Sequence, residues 1–205
     1  MIAIVDYGVG NLFSLGCSLE YIGQECIVTG EPEKIAGADK IILPGVGAFG
    51  DAAEKLRTRG LDTLLKNLAG EGKPLLGICL GMQLLAERSH EYGLHQGLAL
   101  IEGDILPLAP DVGDVSCRVP HIGWNTLEVL DAECRPLADV RDGDAAYYVH
   151  SYYLPVGEYT TAVSAYGRAR ISGMVARGNV MGAQFHPEKS GEVGLGILRA
   201  FCEMS

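Results

Sequence analysis

The sequence predicts an α/β protein with a central, mostly parallel sheet, helices on both faces, and an antiparallel extension in the C-terminal part. Two patterns carry this expectation. Over the first 80 residues, short runs rich in β-branched residues alternate with helical stretches, and the runs are apolar almost throughout, as strands covered on both faces must be. From about residue 98 the texture changes to short extended runs separated by turns, which suits antiparallel strands. A chain of 205 residues, 48% of them hydrophobic, can bury a substantial core, and a single domain spanning residues 1–205 is expected.

Taken in order, the strand candidates are IAIV (2–5), CIV (26–28), KIIL (40–43) and LLGI (75–78), with helices near residues 11–22, 50–59 and 61–70 between them. In a sheet of this kind ligands bind beyond the strand C-termini, so the chemistry is expected just after these runs. The later runs LALIEGDILPL, VSCRVP, AAYYVH, TTAVSAY, ISGMVA and VMGAQF are expected to extend the same sheet or pack beside it. A closing helix covers about 191–203. The polar, turn-rich stretch 131–144 reads as a surface connection.

A formal net charge of −10 argues against nucleic acid as the principal ligand, because phosphate backbones are bound through clustered Lys and Arg. The opening MIAIVDYG has no basic segment and too short an apolar run for a signal peptide or a spanning helix, so a cytoplasmic protein without a membrane partner is expected. The six cysteines show neither C-x-x-C pairing nor regular spacing, which disfavours a disulfide framework or a zinc site.

One cysteine stands out. Cys79 follows the fourth strand candidate between Gly77 and Gly81, in the spacing of a nucleophile elbow, where small neighbours let a sharp strand-to-helix turn expose the nucleophile. The helix expected over LGMQLLAER would turn its N-terminal amides toward the sulfur and favour the thiolate. The base is sought among His90, His95, His121, His150 and His186. His186, in AQFHPEKS, ends an apolar run, and Glu188 follows at a spacing that projects both side chains to one side of an extended segment. Cys79, His186 and Glu188 therefore form a candidate triad.

The remaining histidines suggest less. His90 and His95 are five residues apart, about 140° around a helix, and Gly93 interrupts, so no metal site is assigned. His150 lies in an aromatic strand run, and His121 in PHIGWN is expected in a loop beside Trp124. The run ILPGVGAFGD contains Gly45, Gly47 and Gly50 as G-x-G-x-x-G. A dinucleotide loop would follow the first strand, with an acidic residue ending the next; here it follows the third, and the next strand ends at Cys79. No cofactor is expected.

Through PGVGAFGD, GICLGMQLL and QFHPEKS the chain resembles the class I (triad) glutamine amidotransferases, over nearly its whole length. VDYGVGNL, PHIGWN and YYVHSYY narrow the resemblance to the glutaminase subunits of imidazole glycerol phosphate synthases. The resemblance implies a flavodoxin-like fold that releases ammonia from L-glutamine, with Cys79 as nucleophile, His186 as base and acid, and Glu188 orienting it. Gln83, one helical turn past Cys79, matches a pocket-lining position, Glu91 matches the partner of the substrate ammonium, and His150, Ser151 and Tyr152 match the segment that closes on the substrate. It further implies a (β/α)8-barrel cyclase subunit that receives the ammonia, met at or near Asn11, Trp124, Asn125, Tyr147 and Lys189. In an elbow enzyme the oxyanion is held by the amide after the nucleophile, here Leu80, and by a second amide from another strand's loop. Gly45, Val46 and Gly47 lie where that loop is expected, with Val46 and Gly47 as the donors and Gly45 beside the substrate. The alternatives are a glutaminase subunit of another pathway and a thiol hydrolase or peptidase on the same scaffold.

Overall fold

The computed structural model describes residues 1–113 and 116–204. Four strands, β1 (Ile2–Val5), β2 (Cys26–Thr29), β3 (Lys40–Leu43) and β4 (Leu75–Ile78), alternate with α1 (Leu12–Tyr21), α2 (Pro32–Gly37), α3 (Phe49–Thr58) and α4 (Leu61–Gly70). Then come α5 (Leu80–Leu85), the short strands β5 (Arg88–Ser89) and β6 (His95–Gln96), β7 (Asp104–Pro107), and α6 (Ala109–Val112). The rest comprises β8 (His121–Thr126), β9 (Glu128–Val129), β10 (Ala145–His150), β11 (Tyr152–Tyr153), β12 (Thr160–Tyr166), β13 (Ala169–Arg177), β14 (Val180–Ala183) and α7 (Gly191–Cys202).

Among the described residues the main sheet runs β2-β1-β3-β4-β14-β13-β12-β9. The first five strands are parallel, and the last three continue the sheet antiparallel. Alternate residues supply two cores. Ala3, Val5, Ile41, Leu43 and Leu75 face Ile35 of α2 and the apolar stripes of α3 and α4, whereas Ile2, Ile4, Ile42, Leu76 and Ile78 face α1 and α7. The helices are built for this: α4 buries Leu61, Leu65, Leu68 and Ala69, and α7 buries Gly194, Ile197, Leu198, Phe201 and Cys202, each set on one helical face.

This order decides where chemistry can occur. β3, β4 and β14 are adjacent and parallel, with Leu43 beside Gly77 and Ala183 beside Ile78, so the segments leaving them emerge together at one sheet edge.

Several expectations are corrected. The helix after Cys79 stops at Leu85, because Ala86 is extended and Arg88–Ser89 begins a strand. In LALIEGDILPL only Asp104–Pro107 is strand. Ala99 and Gly103 have positive φ, and the amides of Leu98, Leu100 and Ile101 bond the carbonyls of Leu84 and Leu85, closing the end of α5. β7 belongs to a small separate sheet with β11, β5 and β6, and β8 and β10 form a two-stranded ribbon. Of VSCRVP, residues 116–120 form no strand and Val115 lies outside the described residues. The stretch 131–144 is more than a surface connection: Cys134, Pro136 and Leu137 are buried, and Cys134 and Leu137 pack in the core that holds α7. The short helix α2, with Pro32 in its first turn and one buried side chain, Ile35, offered too little periodicity to be foreseen. Among the described residues no helix is long and apolar enough to cross a membrane.

Candidate active site

Cys79 sits on the turn from β4 to α5 with φ 54° and ψ −111°, a conformation that costs a non-glycine residue about 1–3 kcal/mol and persists only when packing enforces it. The packing is visible in the two flanking glycines. A Cβ on Gly77 would lie 2.6 Å from Gly81 O, and one on Gly81 would collide with the backbone of Leu43. The elbow is thus wedged against the end of β3, and Cys79 N–H ties it to β14 through Ala183 O at 2.8 Å.

His186 lies three residues beyond the end of β14, and its amide bonds Tyr147 O. Its Nδ1 is 2.9 Å from Glu188 Oε1, and both side chains are 2% exposed. Nε2 is buried and has no hydrogen-bond partner among the described residues. Burial alone would disfavour the imidazolium, but Cys79 and Glu188 outweigh it and push the His186 pKa up to about 9. Asn11 Nδ2 reaches the same Glu188 oxygen at 3.4 Å.

A cavity of about 330 Å³ opens in front of the sulfur, and its lining includes Val46, Gly47, Leu80, Gln83, Glu91 and His186. The structure thus brings Cys79 and His186, both stretches expected to hold an oxyanion, and Gln83 and Glu91 to one space, with Glu188 bonded to the far side of the His186 ring. His150, Ser151 and Tyr152, where the chain leaves β10 for β11, also line it. Gly45 does not. A Cβ there would lie 2.8 Å from Gly81 N and 2.9 Å from Leu80 Cβ, so close packing behind the elbow requires a glycine at this position.

The expected partner residues are not all alike. Trp124 and Asn125 are neighbours on β8 and project to opposite faces. Trp124 is 58% exposed and packs edge-on against its cross-strand partner Tyr147. Asn125 instead bonds within the chain, donating to Ala165 O and accepting from Thr126 N–H. Lys189 is exposed beside Glu188, while Asn11 reaches inward to the triad carboxylate.

Sequence reasoning missed two groups. Gln184 Nε2 lies 3.9 Å from Cys79 Sγ, and its Oε1 accepts from Gln83 Nε2 at 3.0 Å, so Gln83 positions a second amide beside the sulfur as well as lining the cavity. Its place two residues before His186, on the same side of an extended segment, was the available signal. His121 is no loop residue: it opens β8, is 3% exposed, stacks on Tyr148 and Tyr166, and is paired ring to ring with His150 at 3.0 Å. Burial lowers the pKa of His121 to about 4 and that of His150 to about 3, so both rings are neutral at pH 7. His150 Nδ1 bonds Tyr152 O, which also accepts from Gln83 Nε2.

A strained cysteine facing a buried His–Glu pair could belong to several thiol enzymes. The model of the family glutamine amidotransferase class-I matches residues 3–203. The chain belongs to that family. It is 52% identical to the imidazole glycerol phosphate synthase subunit HisH of Bacillus cereus strain G9842, over 98% of this chain and 93% of the relative. With the same-named subunit of Listeria monocytogenes strain HCC23 it shares 47% identity, covering 100% of this chain and 96% of the relative. Solved structures agree on the fold: a glutamine amidotransferase crystal structure superimposes with a TM-score of 0.73 at 19% identity, covering 98% of both chains. The structure of PurLQS from Thermotoga maritima gives 0.73 at 22% identity, covering 98% of this chain and 96% of that one. The amidotransferase fold thus carries the elbow, the His–Glu segment and the facing glycine loop at one sheet edge.

Proposed function

We propose that this amidotransferase is the glutaminase subunit of an imidazole glycerol phosphate synthase, a single-domain cytoplasmic protein. It hydrolyses L-glutamine and passes the ammonia to a (β/α)8-barrel cyclase subunit, which consumes it in forming imidazole glycerol phosphate and AICAR. The observation that carries the reading is Cys79 on its strained turn, sharing one cavity with His186, whose other nitrogen is bonded to a buried carboxylate.

The chemistry follows from those positions. Sγ lies 3.8 Å from Val149 O and turns from it toward His186 to lose its proton. The thiolate attacks the side-chain amide carbon, and the electron pair moves to the carbonyl oxygen, held by the N–H groups of Leu80 and of Val46 or Gly47. As the C–N bond breaks, His186 gives its proton to the nitrogen and ammonia leaves. Water, deprotonated by His186, then attacks the glutamyl thioester; glutamate departs and the thiol is restored. Glu188 keeps the imidazole oriented and stabilises its charged form. Glu91 pairs with the substrate ammonium, and Ser151 and Tyr152 border the rest of the amino acid. Asn11, Trp124, Asn125, Tyr147 and Lys189 are assigned to the cyclase contact, with Trp124 as its aromatic anchor.

The test is glutamate release by the chain alone, with the barrel cyclase, and with the cyclase plus its ribonucleotide substrate. Turnover is expected to be low alone and to rise sharply in the complex, and Cys79→Ala should abolish it while the subunits still bind. Unchanged turnover on adding the cyclase would remove the pathway assignment, and cleavage of a generic peptide without glutamine hydrolysis would remove the glutaminase itself.

A further inference from the structure

The loop between β3 and α3 is held by side chains at its two ends. At its start, Tyr7 Oη–H donates to Pro44 O at 2.8 Å. At its end, Phe49 N–H donates to Glu91 Oε2 at 2.5 Å, in a buried contact between segments 42 positions apart. Between these points Val46 and Gly47 are loosely packed: Val46 is 42% exposed, and Gly47 has φ +95°, with nothing among the described residues within 4 Å of the place a Cβ would take. Phe49 is the first residue of α3, and the residue before it, Ala48, has no side chain that could satisfy the helix's free amides. Glu91 does so from elsewhere in the chain, where the negative charge is also favoured by the helix end.

Glu91 is itself fixed. It is 9% exposed, its N–H bonds Ser89 Oγ at 3.2 Å, and it borders the same cavity as Val46, Gly47 and Cys79. Resting on the glutaminase reading, we propose that Glu91 is a positioning residue for the oxyanion loop as well as the partner of the substrate ammonium. One carboxylate oxygen anchors the loop through Phe49 N–H, leaving the other for the ligand. Substrate recognition and the placing of the Val46 and Gly47 amides then depend on a single side chain.

The two duties separate by substitution. Glu91→Gln keeps an oxygen that can accept from Phe49 N–H but loses the charge that attracts an ammonium; Glu91→Ala loses both. In the complex with the cyclase, Glu91→Gln is expected to act mainly on KM for glutamine. Glu91→Ala should lower kcat by a further factor of about ten or more, because a misplaced donor acts on the transition state. On 4-carbamoylbutanoate, which lacks the amine, the KM penalty of Glu91→Gln should vanish while the kcat deficit of Glu91→Ala remains. Amide hydrogen exchange gives a readout without turnover: exchange at residues 46–49 should quicken in Glu91→Ala and not in Glu91→Gln, with the core strands unchanged. Equal kcat in the two variants, or equal exchange, overturns the tether. Exchange that quickens only in Glu91→Ala supports it even if no glutamate is released from glutamine, an outcome that instead removes the glutaminase reading.

Discussion

Two glycine-bearing loops face each other across the cavity, and their glycines do opposite things. At the elbow, a Cβ on Gly77 or Gly81 would run into backbone, so glycine there permits an approach so close that the turn cannot move. In PGVGAFG, Gly45 and Gly50 are also packing residues, the latter 2.7 Å from the His95 ring at its Cβ position, but Gly47 stands in open space at positive φ. The nucleophile is clamped, while the peptide offered to the oxyanion is restrained mainly at its ends.

The largest expected effect tests the clamped side. Gly81→Ala should push the elbow off β3, costing about 1–3 kcal/mol or more of stability from overpacking and nearly all glutamate release. A thermal unfolding curve beside an activity assay would show both, and a variant of normal stability and turnover would break the comparison. On the loosely packed side, Val46→Pro removes one backbone donor and should cut kcat about a hundredfold, with the unfolding midpoint little changed. Gly47→Ala meets no neighbour but must hold a positive φ, so a loss of about 1–2 kcal/mol is expected, with turnover reduced less than by Val46→Pro.

The pH dependence sharpens the contrast further, because it reports on the clamped side alone. The His186 pKa is raised to about 9, so its imidazolium contribution to stability is fully present below the unfolded value of about 6.5 and is lost as pH rises through 9. The same proton is needed to release ammonia, so kcat/KM should decline on an alkaline limb near pH 9. Glu188→Gln should move that limb downward. The smallest expected effect concerns the neutral pair behind the cavity. His121 and His150 have depressed pKa values, so the unfolded chain binds more protons and stability should fall as pH drops below about 6.5 toward 4. In denaturant titrations at pH 7 and pH 5, His121→Asn should flatten that fall.

Much of the site was legible because its signals are local. Gly77, Cys79 and Gly81 encode a turn, His186 and Glu188 encode two side chains on one side of an extended segment, and the structure has them bonded at 2.9 Å. Gln184 obeyed the same alternation and could have been read from it. The ring pairing of His121, the packing of Gly45 and the hydrogen bond from Asn125 could not, because the groups they meet lie 29, 36 and 40 positions away in the chain. The run LALI failed for a related reason: its apolar residues suit a strand, but its amides are used up closing α5.

By itself, then, the sequence determined the kinds of elements and the chemical groups that end them, because 2.0- and 3.6-residue periodicities and turn chemistry act over a few residues. The packing of β3, β4 and β14 side by side was left to the tertiary structure, and with it the meeting of the glycine loop, the cysteine and the histidine. The tertiary structure also decided which glycine is wedged and which is free, and that Glu91 reaches Phe49 N–H, because steric contact and hydrogen bonding depend on neighbours in space that no local pattern specifies.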